Sequence, residues 1–463
     1  MLTSEIDSGG IALFTIDMPG RSMNVIDWAF TEALREEIAR LAADPQVTGI
    51  IIASGKDSFI AGADLAIMNG MTGPGTSPAT ASERIRAMTD AFRALETCGK
   101  PVVAAASGTA LGGGLELMLA CHHRIAACNP KAVFGLPEVT LGILPGAGGT
   151  QRLPRVIGIE AALPLLLEGR RLSAEEALSL GILDELAEPN DLVAAARRAL
   201  AKGRVPATAP WDAKGFAPPG PPVTSEAASN VFLFANAKVR ASGHRNYPAL
   251  EAILSCVYEG LRLPIDKALK VERQYFGHLV HGDVAQAMIR TQFFARQALA
   301  REGRARADKD GALATACRNA LDAEALRMQA EGMSPAFIRN AAEVVGLSAL
   351  PALPVDAALP STDDARERAA LRPAGMRLLR AMALAAAATL DRGDVASASE
   401  ADVHAIDAAG FPVWTGGPLS LIDTQGAAEF VAACRTDKLE VPVGLAAMAR
   451  DGGRFHSIKE AAA

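Results

Sequence analysis

Two glutamates in glycine-rich surroundings are the residues of this chain best suited to chemistry. Glu116 follows Leu111-Gly112-Gly113-Gly114-Leu115, and Glu138 closes Phe134-Gly135-Leu136-Pro137-Glu138. The second is followed by Leu141-Gly142-Ile143-Leu144-Pro145-Gly146-Ala147-Gly148-Gly149. A third segment, Phe59-Ile60-Ala61-Gly62-Ala63-Asp64, has the same small-residue character. Two carboxyls facing one space could take a proton from a substrate and return one to it. Glycines let backbone approach a ligand and leave N–H groups free to bind developing negative charge. The plain alternative makes each glutamate a solvated helix or loop residue. Against it, Glu116 lies in an otherwise apolar stretch, 115–121, directly after three glycines, and Glu138 follows a proline in an apolar loop.

Together these segments resemble the crotonase (enoyl-CoA hydratase/isomerase) superfamily. The resemblance runs through residues 10–190 and takes in Pro19-Gly20-Arg21-Ser22-Met23-Asn24 and Gln151-Arg152-Leu153-Pro154-Arg155. It implies an oxyanion hole made by the N–H groups of Ala63 and Gly113, which would polarise the thioester carbonyl of an acyl-CoA. Removing one such donor typically costs roughly 3–4 kcal/mol of transition-state stabilisation. It further implies that Glu116 activates water for attack at C3 and that Glu138 delivers a proton to C2. Ala61, Gly62, Asp64, Leu65, Gly112, Pro137 and Gly146 are implied to line the substrate site. Both acids together favour hydration of a trans-2-enoyl-CoA. Glu138 alone could isomerise a 3-enoyl-CoA, and a non-catalytic acyl-CoA-binding scaffold is the reading from a different class. Many relatives carry a lysine two residues after the Asp of the Ala-Gly-Ala-Asp turn. Ala66 stands there, so the groups that hold the CoA phosphates are unassigned.

The elements that must position these residues alternate. Short apolar, β-branched runs at 11–17, 48–53, 101–106 and 124–127 read as strands. Helical stretches at 28–42 and 81–95 lie between them. A helix starting at 115 would point its N-terminal dipole at the substrate carbonyl. Residues 68–82, with Gly70, Gly73, Pro74, Gly75 and Pro78, read as a mobile loop beside the acyl pocket. The alternation argues for an α/β architecture, and the resemblance adds a crotonase-like ββα spiral followed by an all-α C-terminal region.

The expected domains are 1–204 (crotonase-like), 205–224 (a linker rich in proline), 225–306 (linking helices) and 307–463 (helical). Residues 225 onward read almost wholly as helix, with amphipathic stretches at 249–261 and 266–279 and a third at 285–301. Residues 320–350, with Glu331-Gly332-Met333-Ser334-Pro335, and 376–426, with Gly410-Phe411-Pro412 and Gly416-Gly417-Pro418, resemble the two helical repeats of 3-hydroxyacyl-CoA dehydrogenases. This order resembles multifunctional fatty-acid oxidation enzymes. No Gly-x-Gly-x-x-Gly fingerprint follows the linker, and Gly146-Ala147-Gly148-Gly149 lacks the third glycine. NAD binding and dehydrogenase activity are therefore not expected.

The chain has 463 residues and a net charge of −6, without the basic clustering of a nucleic-acid binder. With 50% hydrophobic but only 5% aromatic residues, its core must be mainly aliphatic. No apolar run reaches membrane-spanning length without charge, and the start lacks a signal-peptide pattern. The six cysteines form no Cys-x-x-Cys pair and read as reduced, cytoplasmic residues. His122 and His123 read as structural, and no metal is implied. No cofactor is expected, since coenzyme A arrives as part of the substrate. The expected partner is an acyl-CoA, with no nucleic acid and no membrane. A monomer or homo-oligomer is expected, with a thiolase or a separate dehydrogenase as candidate protein partners.

Overall fold

The computed structural model describes residues 2–72, 75–353 and 365–456. Two compact units divide the chain: Met1–Val239 with Ala249–His281, and Arg240–Pro248 with Gly282–Ala463.

All nine described strands belong to the first unit. They are β1 (Leu2–Ile6), β2 (Ile11–Ile16), β3 (Gly49–Ser54), β4 (Val102–Ala106), β5 (Ala110–Leu111), β6 (His123–Ala127), β7 (Phe134–Gly135), β8 (Arg171–Leu172) and β9 (Glu185–Ala187). Six form one sheet in the order β1-β2-β3-β4-β6-β9, and three form a second in the order β5-β7-β8. The first sheet is parallel from β2 to β9, with β1 antiparallel at its edge. Parallel strands covered on both faces should be continuously apolar. Accordingly all five residues of β4, Val-Val-Ala-Ala-Ala, are buried. Ile51, Ala53, Val103, Ala105 and Ile125 of this sheet pack against Leu192, Ala195, Ala196 and Ala199 of the Leu192–Ala201 helix.

The helices begin where side chains can satisfy their free N–H groups. Asp27 caps α1 (Trp28–Ala43) by accepting from the Phe30 N–H. Phe30, Leu34, Ile38 and Leu41 then form its buried stripe. Ser77 caps α2 (Pro78–Thr97), whose first residue is a proline with no N–H to satisfy. A 3-10 helix, Leu65–Gly70, occupies part of the loop expected at 68–82, while Gly73 and Pro74 lie outside the described residues.

Two helices beyond the proline-rich stretch, Pro248–Gly260 and Ile265–Val280, pack within the first unit. On the second of these, Ile265, Ala268, Leu269, Phe276 and Leu279 make a buried stripe that must be covered, and α2 lies against it. Gly277 permits the close approach, since a methyl there would sit 2.3 Å from the Pro78 carbonyl oxygen.

Every described regular element of the second unit is a helix. Ala312–Ala330, Pro335–Val344, Ala365–Asp391, Ala398–Ala409, Pro418–Gln425, Ala427–Thr436 and Val443–Asp451 surround an aliphatic core that includes Leu321, Leu378, Met382 and Ile422. The stretch expected as one helix at 285–301 contains a π-helix at Ile289–Ala295 between two α-helical segments. Among the described residues, no helix is long and apolar enough to cross a membrane. All six cysteines are free.

Candidate active site

The turn at 61–64 is fixed from both sides. Ala61 donates its N–H to the Asn24 carbonyl, Ile26 donates to the Gly62 carbonyl, and Asp64 donates to the Ile26 carbonyl. Asn24 is itself buried and fully engaged. Its Oδ1 accepts from Met18 N, and its Nδ2 donates to Ile16 O, Ser54 Oγ and Phe59 O. Asp64 caps the 3-10 helix by accepting from Ala66 N and pairs with Arg21 at 2.9 Å. Leu65 is buried beneath it. Between these bonds, the Ala63 N–H is left without a backbone acceptor among the described residues.

Gly113 opens α3 (Gly113–Leu119), two residues earlier than the helix expected at 115. The first N–H groups of a helix have no intrahelical partner, and the Gly113 N–H has no backbone acceptor among the described residues. The two amides lie close together, since a methyl on Gly113 would sit 3.8 Å from the Ala63 nitrogen. Gly112 has φ +53, and a methyl on it would sit 2.7 Å from Glu138 Oε1. Gly62, Ala63, Gly112, Gly113 and Glu138 are thus gathered in one place.

Pro137 starts the 3-10 helix Pro137–Leu141, which carries Glu138 in its first turn. Glu138 Oε2 is buried with no hydrogen-bond partner. Burial, and then the charge of Glu116, hold its carboxyl well above the usual range, and the charge of Glu272 adds to the effect. Glu116 is 3% exposed, and its Oε1 accepts from the N–H groups of Ala147 and Gly149, both at 2.8 Å. Burial raises its pKa to about 6, against the pull of those two amides and of Arg152. The charge of each carboxyl thus bears on its neighbours, with Glu116 and the Oε2 atom of Glu138 both buried.

Sequence reasoning missed a third acid. Glu272, on the Ile265–Val280 helix, is fully buried. Its Oε1 accepts from Gly148 N at 2.6 Å, and its Oε2 accepts from Thr150 N at 3.0 Å and from the Thr150 hydroxyl. Burial and the charge of Glu116 raise its pKa to about 8, against the hydrogen bonds from Thr150 and Gly148. A signal was present in the sequence: this Glu interrupts the apolar stripe between Leu269 and Phe276. The nearby cation is committed elsewhere. Arg152, itself fully buried, pairs with Glu96 at 2.7 Å and donates to the Ala147 carbonyl. A methyl on Gly146 would meet the Phe276 ring at 2.7 Å.

His122 is occupied structurally, with its Nδ1 accepting from Val102 N at 3.0 Å and its Nε2 beside the Glu96 carbonyl. Among the described residues no cluster of His, Cys, Asp or Glu could hold a metal ion.

This arrangement brings together two amides without a backbone acceptor among the described residues, one carboxyl raised to about 6 and one held well above the usual range. Residues 7–206 match the family described as Enoyl-CoA hydratase/isomerase. The fatty acid oxidation complex subunit alpha of Shewanella loihica is 40% identical over 295 residues, covering 63% of this chain and 41% of that protein. Its counterpart in Shewanella halifaxensis is 37% identical over 294 residues, covering 63% and 40%. The chain spans about two fifths of the length of these curated relatives. DspI of Pseudomonas aeruginosa is 36% identical, covering 44% of this chain and 81% of that one, with a TM-score of 0.40. Residues 7–206 of this chain are thus a crotonase domain of the enoyl-CoA hydratase/isomerase family, joined to an all-helical C-terminal region.

Proposed function

We propose that the chain hydrates trans-2-enoyl-CoA to 3-hydroxyacyl-CoA. The thioester oxygen accepts from the N–H groups of Ala63 and Gly113, so that negative charge gathers there as C3 is attacked. Glu116, ionised above about pH 6, takes a proton from water as the water oxygen bonds to C3. Glu138, whose affinity for its proton is raised by burial and by the charge of Glu116, donates that proton to C2. The net change is one water added across the double bond. One proton must then pass from Glu116 back to Glu138 before the next turnover. Two acids raised to different extents, Glu138 further than its usual range by burial and by the charge of Glu116, suit proton transfer near neutral pH.

The observation that supports this reading most is the buried pair of acids beside two amides that no other backbone group uses. A non-catalytic binder needs neither acid. A second reading, isomerisation of a 3-enoyl-CoA by Glu138 alone, draws on its unpartnered Oε2. Ala61, Gly62, Asp64, Leu65, Gly112, Pro137 and Gly146 would shape the substrate site. The substrate supplies coenzyme A, and hydration uses no further cofactor. By analogy with the alpha subunits it resembles, the chain would act in fatty-acid oxidation alongside a thiolase and a separate dehydrogenase. The helical C-terminal region would serve assembly.

The test is the conjugated-enoyl absorbance of crotonyl-CoA in the presence of the purified chain. The expected result is catalytic loss of that absorbance with 3-hydroxybutyryl-CoA as product. Retained acyl-CoA binding without turnover would support the scaffold reading instead.

A further inference from the structure

Four consecutive residues, 147–150, present N–H groups at the start of α4 (Gly149–Ile157), and two carboxylates divide them. Glu116 takes Ala147 and Gly149. Glu272 takes Gly148 and Thr150. Neither acid can shift without moving the stretch that holds the other. Gly148 adopts φ +113, and a methyl there would meet Arg152 Nη1, so this backbone has little freedom of its own.

Glu272 is anchored from outside the 7–206 segment. Its helix is fixed against α2 at Gly277, and Arg93 pairs with Asp266 at 2.8 Å in its first turn. The preceding helix and turn are tied to α4 by Arg155, which donates to the carbonyls of Gly260 and Leu263, and by Gln151, which donates to the Cys256 carbonyl. Glu272 is fully buried, and both its oxygens are occupied by the 148–150 backbone and the Thr150 hydroxyl. It has no route to a substrate, so its influence must pass through the loop.

We propose that Glu272 is a positioning residue for Glu116, clamping residues 147–150 so that the Ala147 and Gly149 amides hold the Glu116 carboxylate in register for proton transfer. This rests on the hydratase reading for its kinetic consequence and on geometry alone for its structural one.

The two can be measured separately on the full chain. Glu272→Gln puts an NH2 group where one of the loop's N–H donors needs an oxygen. Its expected effect is a fall in hydration kcat of about 100-fold, the scale of a small misplacement of a reacting group, with KM within about twofold. Amide hydrogen exchange should quicken at Ala147 and Gly149 as well as at Gly148 and Thr150. Thr150→Val removes the hydroxyl, which donates to Glu272 and also accepts from Gln151 Nε2, and should act in the same direction by about 5-fold in kcat, a loss scaled to one hydrogen bond. It carries the test by itself if Glu272→Gln does not fold. Faster exchange confined to Gly148 and Thr150, or a loss expressed equally in KM and kcat, would overturn the proposal. A wild-type chain without hydratase activity would end the functional reading, whereas exchange at Ala147 and Gly149 would still decide whether Glu272 controls the Glu116 cradle.

Discussion

The two units of this chain bury acids in similar ways and to opposite ends. In the first, Glu116 and Glu272 accept N–H groups at the start of a helix, but neither forms an ion pair among the described residues, and the nearby Arg152 is paired with Glu96. In the second, Asp402 accepts from the N–H groups of Leu419 and Ser420 at the start of the Pro418–Gln425 helix. There a cation does arrive. His456 lies 3.2 Å from Asp402 through Nε2 and 2.9 Å from Asp423 through Nδ1. Burial alone would lower the imidazole pKa, yet the two carboxylates raise it to about 9. Burial pushes Asp423 up, but the bonds from His456 and from the amides of Phe455 and His456 bring it below its usual range. The second cluster holds a cation between its two carboxylates and serves the fold. The first keeps its acids under electrostatic tension, which suits groups that must exchange protons.

That contrast can be broken in the second unit by removing one carboxylate. Asp423→Asn should cost about 3–5 kcal/mol in chemical denaturation, the usual penalty for stranding a buried partner, while leaving crotonyl-CoA hydration nearly unchanged. A large loss of activity in a folded Asp423→Asn chain would erase the distinction.

The pH dependence of stability sharpens it. The His456 pKa is raised in the folded state from 6.5 to about 9, so its contribution is complete below pH 6.5 and disappears as pH rises through about 9. The shift corresponds to about 3 kcal/mol. Denaturation at pH 6 and pH 9.5 should show that loss in the wild type and a smaller one in His456→Ala. The decline that remains in His456→Ala comes from the first unit, since Glu272 is also raised and favours the fold when protonated.

Catalysis should follow the opposite limb. Hydration requires ionised Glu116, so kcat should fall about tenfold per unit as pH drops below about 6. A kcat independent of pH between 5 and 7 would show that Glu116 does not act as the base. The smallest expected effect is steric. Gly146→Ala drives a methyl toward the Phe276 ring and should cost about 1–2 kcal/mol of stability, a typical overpacking penalty.

Much of the first site was legible before the fold was known, because its parts are short segments with local signatures. Gly112, Gly113 and Glu116 fall within one short segment, and the Ala61-Gly62-Ala63-Asp64 turn needs small residues for its backbone course. Glu272 was not legible as a site residue, because its partners are loop amides more than 120 residues earlier in the chain. Only its place among Leu269 and Phe276 hinted that an acid was headed into the interior. The two-residue strands β5, β7 and β8 were equally hidden, as so short a pairing reflects surrounding packing rather than local propensity. The π-helical turn at Ile289–Ala295 carries no pattern that separates it from an α-helix. In the second unit the helices that flank Gly332 and Gly393 were visible from those glycine turns. The Asp402–His456–Asp423 cluster was not, since its members are far apart in sequence.

The most direct measurement is hydration kcat and unfolding free energy, taken on the same samples of wild type, Glu116→Gln and Glu138→Gln. Each substitution is expected to lower kcat by about 1000-fold, within the range of general acid–base contributions, without loss of stability. Wild-type turnover in either variant, or a loss of rate that merely tracks a loss of folded protein, would contradict the assignment of these two acids to catalysis.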